Sequence, residues 1–168
     1  AGAPLDATDK GGRTALHVAA SSNNAAAVSA LTKAGCALDA RDKAGSTAAW
    51  MAADEGHSEA LQSLVDAGCD CNLANNDGMS PAFMAAWKGR AEALKILVNA
   101  KCNVDAVANN TFTPLATAAR NGYVEVVKVL LAAGADKTVK TNDGTALDRA
   151  KKHVKDEAKL RELVALLE

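Results

Sequence analysis

Residues 113–136 read TPLATAARNGYVEVVKVLLAAGAD, and this stretch carries the signals of two short helices in tandem. Thr113 can cap a helix through its hydroxyl, and Pro114 suits the first helical position because its missing N–H needs no partner there. Gly122 and Gly134 fall where a left-handed residue ends a helix. Apolar residues between these glycines recur at helical spacing. The stretch therefore predicts a helix–turn–helix unit.

The same pattern recurs at a constant step of 33 residues. Related segments begin at Asp9, Asp42, Asn75 and Ala108, and a shortened copy begins at Thr141. We therefore expect one domain over residues 1–168, in which residues 1–8 are the tail of an earlier repeat of a longer protein. The expected units are four full repeats, 9–41, 42–74, 75–107 and 108–140, and a C-terminal capping repeat, 141–168.

Two of these segments resemble a known repeat signature. Residues 14–19 read TALHVA and residues 113–118 read TPLATA, and both resemble the ankyrin-repeat motif T-P-L-H-x-A at its usual period. Residues 122–136 resemble the second helix of that family and its glycine stop. The resemblance implies an all-α fold, a solenoid of stacked helix–turn–helix units joined by β-hairpin-like loops. It also implies that the function is protein–protein recognition.

Composition argues against two classes of partner. The 19 lysines and arginines nearly balance the 20 aspartates and glutamates, whereas nucleic-acid binders usually carry a basic surplus. No stretch approaches 18 consecutive apolar residues, so no membrane-spanning helix is expected. We therefore expect neither a nucleic-acid nor a membrane partner.

The cysteines and histidines give little support for catalysis or metal binding. Cys36, Cys69 and Cys102 recur at one repeat position, where a free cysteine packs as a small apolar residue. Successive copies in a helix stack lie about 10 Å apart, too far for a disulfide. Cys69 and Cys71 form a C-x-C pair, but no second pair lies at zinc spacing. We expect no metal, no cofactor and no enzyme activity, and a reducing compartment, the cytoplasm or the nucleus.

The signature histidine is kept in one repeat, and several other residues depart from the repeat pattern. His17 keeps the signature histidine, which by the resemblance orders the turn of its own repeat. Trp50 and Phe83 stand at the same position and are expected to pack half-buried. Lys101 replaces a helix-stopping glycine, which predicts a strained left-handed turn, and Thr111 replaces a turn glycine.

Repeat stacks bind partners on the concave surface formed by turn tips and inner helices. Met79, Trp87 and Phe112 are large apolar residues at positions of that surface expected to be exposed, in adjacent repeats. We expect them to form one binding patch, because exposed apolar patches usually mark interaction sites. The alternative is that Trp87 packs down onto a neighbouring helix and Phe112 shields the turn at Thr111.

The first two repeats place charged residues on the same surface. Arg13, Arg41 and Lys43 stand beside Asp54 and Glu55, a combination that suits a polar, partly acidic partner. The complete set of candidate protein-binding residues is Met79, Trp87, Lys88, Phe112, Arg120, Arg13, Arg41, Lys43, Ser46, Asp54 and Glu55.

The sequence thus predicts a non-catalytic, monomeric module that binds a partner protein or peptide on its concave face and hairpin tips. Two alternatives remain open. In the first, the stack acts as a structural spacer or self-assembly element. In the second, it recruits substrates for a larger enzyme. Because helix 25–34 has little beyond Val28 and Leu31 to bury, we expect the N-terminal end to fray first.

Overall fold

The computed structural model describes residues 4–108 and 112–168, so the prediction for Thr111 lies outside the described residues. The described part contains ten α-helices and no strand. The helices are α1 Ala15–Ser21, α2 Ala25–Lys33, α3 Ala48–Glu55, α4 Ser58–Asp66, α5 Pro81–Trp87, α6 Ala91–Asn99, α7 Pro114–Asn121, α8 Val124–Ala132, α9 Ala146–His153 and α10 Glu157–Leu167.

The helices stack in two layers. The odd-numbered helices form the inner layer, in which α1 packs on α3, α3 on α5, α5 on α7 and α7 on α9. The even-numbered helices form the outer layer in the same order, from α2 to α10. Each inner helix also packs on the outer helix that follows it in the chain. This is the expected all-α solenoid.

The inner helices begin at the predicted hydroxyl caps. Thr47, Ser80 and Thr113 accept hydrogen bonds from the backbone N–H three residues later, at 3.0–3.2 Å. Pro81 and Pro114 occupy the first helical position, where they cost no hydrogen bond. The predicted starts of these helices are therefore confirmed.

The predicted left-handed stops are also present. The glycines that follow α3, α5 and α7 have φ between 73° and 77°. Asn23 (φ 51°) and Lys101 (φ 60°) are the two residues other than glycine with positive φ in the described part of the chain. Lys101 takes the conformation that Gly68 has one repeat earlier, which is unfavourable for a residue with a β-carbon.

The turns between repeats are hairpin-like but too short to form strands. The Asp42 N–H donates to the Ser46 carbonyl at 3.0 Å, and the Ala108 N–H donates to the Phe112 carbonyl at 2.9 Å. Adjacent turns are linked as well, since the Lys43 N–H donates to the Gly11 carbonyl at 3.0 Å. These bonds hold the turn tips in one row beside the inner helices.

The core is built from small residues inside and branched residues outside. Paired alanines of the inner helices, such as Ala52 and Ala53, are fully buried and allow neighbouring helices to approach closely. Leu61, Leu94 and Leu130 are buried on the outer helices. No helix within the described ranges combines the length and apolar character needed to cross a bilayer.

Candidate functional site

A hollow of about 330 Å³ opens between α5, α7 and the turn that precedes α7. We call it the aromatic hollow. It is lined by Met79, Phe83, Trp87, Ala108, Phe112, Thr117, Arg120 and Asn121. The structure therefore brings together the three apolar residues that the sequence singled out, and adds a polar edge from α7.

Trp87 forms one wall of the aromatic hollow. Its side chain is 45% exposed, and its ring meets the ring of Phe83 edge-on, with centroids 5.8 Å apart and planes at 74°. The Asn121 side-chain amide donates to the Trp87 carbonyl at 3.2 Å, which ties the end of α5 to α7. Trp87 therefore stands at the rim and packs against its own helix, while Phe83 is more deeply buried than expected.

Phe112 is half-buried and is supported from behind by Arg149. The guanidinium carbon of Arg149 lies 4.3 Å from the Phe112 ring centroid, a cation–π contact. Arg149 is fully buried, and it donates to the Thr141 hydroxyl at 2.8 Å and pairs with Asp143 at 3.7 Å. Burial lowers the pKa of Arg149, and the positive charge of Arg120 acts in the same direction.

Arg149 is not among the residues predicted from the sequence, although its position carries a signal. In the repeat alignment Arg149 takes the inner-helix position of Met84 and Thr117, both of which are buried. A cation at a position that is buried in neighbouring repeats indicates a charge with a dedicated partner.

The polar edge of the aromatic hollow has unused hydrogen-bonding and ionic capacity. Thr117 is 5% exposed, and its hydroxyl has no hydrogen-bond partner among the described residues. Arg120 is exposed, and no carboxylate of residues 4–108 or 112–168 lies within ion-pairing distance of it. This edge can therefore take a polar or anionic group from a partner.

Other predicted binding residues are engaged within the protein. Arg13 pairs with Asp9 at 2.8 Å, and Lys88 pairs with Asp54 at 3.6 Å. The Arg41 guanidinium donates to the backbone carbonyl of Ala74 at 2.8 Å. Lys43 and Glu55 are exposed. None of these residues lines the aromatic hollow.

The expected exposure of Ser46 is wrong. Ser46 is 3% exposed, because it directly precedes the helix cap Thr47 and lies under the previous repeat. Its backbone carbonyl lies 3.0 Å from Nε2 of His17. Ser46 is therefore part of the contact between repeats and is not available on the surface.

Helix pairs stacked in register through short turns, with one shared surface of turn tips and inner helices, define an α-helical repeat protein. The family model described as ankyrin repeats (3 copies) matches residues 1–75 and 50–141. The chain belongs to the ankyrin-repeat family. Comparison with curated protein sequences gives no match.

Membership of the ankyrin-repeat family indicates a general class of function. Ankyrin repeats are generally protein–protein interaction modules, and the family is typically non-catalytic. Within the described residues, no group of three or more His, Cys, Asp or Glu side chains is placed to hold a metal ion. The four cysteines are free thiols.

Proposed function

We propose that this chain binds a partner protein or peptide on its concave face, with the aromatic hollow as the main anchoring point. The observation that carries the proposal is an open apolar hollow beside Arg120, which has no carboxylate partner in the described structure. Exposed apolar surface with aromatic and arginine residues is typical of binding hot spots. Met79, Trp87 and Phe112 supply the apolar surface, and Arg120 supplies the charge.

The occupant of the aromatic hollow is a peptide segment with an apolar side chain next to a carboxylate. A volume of about 330 Å³ lies at the lower end of the range for ligand pockets and suits one or two apolar side chains. Arg120 at the edge and Arg149 behind Phe112 make the surroundings positive. A methylated or free ammonium group would be repelled there, whereas a carboxylate can form a bidentate pair with Arg120.

The turns of the first two repeats are a secondary contact for a longer partner. Lys43 and Glu55 are exposed in these repeats. Arg13 and Arg41, together with Lys88 of the third repeat, can exchange their internal contacts for partner contacts at the surface. Exposed ion pairs are worth little, so this exchange costs little. We expect these residues to affect the association rate and its salt dependence more than the affinity.

Selection of random peptides on the immobilised chain tests the proposal. We expect enriched peptides to share an apolar residue near Asp or Glu, and Trp87→Ala/Phe112→Ala to lose at least about tenfold in affinity. Arg120→Glu should shift the selected charge from acidic to basic. Arg161→Glu is the matched control, because Arg161 is exposed on α10, away from the hollow, and carries the same charge change.

Two outcomes would contradict the proposal. One is a selected peptide motif that is the same for the parent and for the Trp87→Ala/Phe112→Ala variant, with both proteins equally folded. The other is a molecular mass, measured by light scattering, that rises with protein concentration because chains associate through the hollow. That result would favour the self-assembly alternative. We expect a monomer at all concentrations tested.

We also propose a reducing compartment, the cytoplasm or the nucleus, as the site of action. The proposal is supported by four free thiols in a chain of 168 residues, since secreted domains usually pair their cysteines. Imaging of the tagged full-length protein in its own cells tests it.

A further inference from the structure

Two thiols lie side by side in the loop that follows α4. The sulfur of Cys69 is 3.5 Å from the sulfur of Cys71, and the Cys71 thiol also lies 3.7 Å from the Cys69 carbonyl. Cys71 is buried, and Cys69 is partly exposed. The corresponding residues of the preceding repeat are Cys36 and Leu38, so this pair occurs in the second repeat alone among the four full repeats.

The loop that carries the pair is held in place. The N–H of Asp70, the residue between the cysteines, donates to the Asp39 carboxylate at 2.9 Å. The Cys69 N–H donates to the Leu64 carbonyl at 3.2 Å, which fixes the start of the loop on the end of α4. The Asn72 N–H donates to the Asp70 carboxylate at 2.9 Å. These bonds hold the backbone that carries the two thiols.

The pair differs chemically from the other two cysteines. A hydrogen bond from the Cys69 thiol lowers the pKa of Cys71, while the pKa of Cys69 is raised because it retains the shared proton and lies near Asp39 and Asp70. Burial raises the pKa of Cys102 to about 12, and burial also raises the pKa of Cys36. The thiolate, which is the reactive form of cysteine, therefore forms more easily at Cys71 than at Cys36 or Cys102, because the pKa of Cys71 is lowered and theirs are raised.

We propose that Cys69 and Cys71 are a peroxide-sensitive dithiol that oxidises reversibly to an intramolecular disulfide. This modification site lies outside the aromatic hollow and does not depend on the proposed binding function. The carrying observation is the 3.5 Å sulfur–sulfur distance in a loop whose backbone is hydrogen-bonded to the end of α4 and to Asp39 of the preceding repeat.

The chemistry balances with hydrogen peroxide as the two-electron oxidant. The sulfur of one thiolate attacks a peroxide oxygen, the O–O bond breaks, and a sulfenic acid and hydroxide form. The hydroxide takes up a proton and leaves as water. The second thiol then attacks the sulfenic sulfur, the S–O bond breaks, the S–S bond forms, and a second water leaves. Two thiols and one peroxide give one disulfide and two waters.

Closure requires only a small movement. A disulfide bond is about 2.05 Å long, so the sulfurs must approach by about 1.5 Å. Whichever sulfur is oxidised first, its neighbour is already within reach, which favours disulfide formation over further oxidation to the sulfinic acid. A dithiol reductant reverses the reaction by thiol–disulfide exchange.

Mass spectrometry of the intact chain after limited peroxide treatment tests this proposal. We expect the chain to lose two hydrogen atoms without gaining oxygen, and Cys69 and Cys71 to become resistant to alkylation roughly tenfold faster than Cys36 and Cys102. Peptide mapping should place the bond between Cys69 and Cys71, and dithiothreitol should restore both thiols. Cys36 and Cys102 are internal controls in the same molecule.

A Cys69→Ser variant provides a second readout. We expect it to gain oxygen or to remain reduced, and never to lose two hydrogen atoms. The proposal is overturned if Cys69 and Cys71 react no faster than the two controls, if oxygen is added without a disulfide, or if the disulfide links two chains. The parent chain alone decides between these outcomes, so the test stands even where the variant does not fold.

Discussion

The indole N–H of Trp50 donates a hydrogen bond to the backbone carbonyl of Met79 at 2.9 Å. One repeat earlier, Nε2 of His17 lies 3.0 Å from the carbonyl of Ser46, and both contacts span 29 positions. Because the Thr14 N–H donates to Nδ1 of His17 at 3.1 Å, Nε2 carries the proton. Trp50 therefore replaces the signature histidine as the donor between neighbouring repeats.

Trp50→Phe should weaken this link. The substitution keeps an aromatic ring but removes the N–H, so we expect the free energy of unfolding to fall by about 1 kcal/mol in urea denaturation. Trp87→Phe is the control, because the Trp87 side chain is 45% exposed and its indole N–H makes no hydrogen bond within the described structure. Equal stability of Trp50→Phe and the parent would contradict the role of Trp50 as a donor.

The next repeat boundary has no such link. Phe83 stands at the histidine position and has no N–H to donate, and its ring lines the aromatic hollow instead. The hollow thus opens at a boundary where the histidine position supplies no hydrogen-bond donor.

Lys101→Gly should stabilise the protein. Lys101 has φ 60° at a helix stop where Gly134, one repeat later, has φ 85°. A β-carbon costs about 1 kcal/mol in this conformation, so we expect a gain of that order in thermal or urea unfolding. Gly134→Lys is the reciprocal control and should lose a similar amount, since a β-carbon at Gly134 meets no atom within 4 Å and only the backbone is strained. No change in either variant would remove the claim of strain.

Amide protection should be lowest at the N-terminal helix pair. Helix α2 fully buries only Val28, whereas α4, α6 and α8 each bury three residues. Less buried apolar area means a smaller free energy of local opening. Hydrogen exchange read by mass spectrometry should therefore show the fastest exchange in α1 and α2. Near-uniform protection across all helices would contradict this prediction.

The ionised carboxylate of Asp9 should stabilise the fold at neutral pH and lose this contribution in strong acid. Backbone and side-chain hydrogen bonds from Arg13 hold the pKa of Asp9 below its usual 3.8. A carboxyl whose pKa is lowered by folding stabilises the fold above 3.8, and this contribution disappears as the pH falls through the lower folded value.

Asp9→Asn should thus be less stable than the parent at neutral pH, and the two should converge in strong acid. Chemical denaturation between neutral pH and pH 2 measures the difference. Asp77→Asn is the control, because the Asp77 carboxylate accepts no hydrogen bond within the described residues. A difference that does not depend on pH would show that the charge of Asp9 is not its cause.

Local signals in the sequence were sufficient for the fold. Hydroxyl caps, first-turn prolines and left-handed stops are set by neighbours in the chain, and the 33-residue period places each unit in the same environment. The period also placed Met79, Trp87 and Phe112 in adjacent repeats, which is why their proximity could be predicted.

The site depends on contacts that the period does not encode. Arg149 reaches Phe112 because a long cation stands where the preceding repeat has the shorter buried side chain of Thr117. Ser46 was expected to be exposed because it follows a turn glycine, but the previous repeat covers it. Both facts are properties of two repeats packed together, and a single-repeat pattern does not contain them.

Nuclear magnetic resonance of the two tryptophan side chains tests the central claim most directly. Trp50 and Trp87 are the only tryptophans in the chain, so their indole N–H signals are separate reporters. On titration with a selected apolar–acidic peptide, we predict that the Trp87 signal shifts with saturation and by more than the Trp50 signal, because Trp87 lines the hollow and Trp50 only contacts it through the Met79 carbonyl. A peptide that binds without moving the Trp87 signal would contradict the assignment of the aromatic hollow as the recognition site.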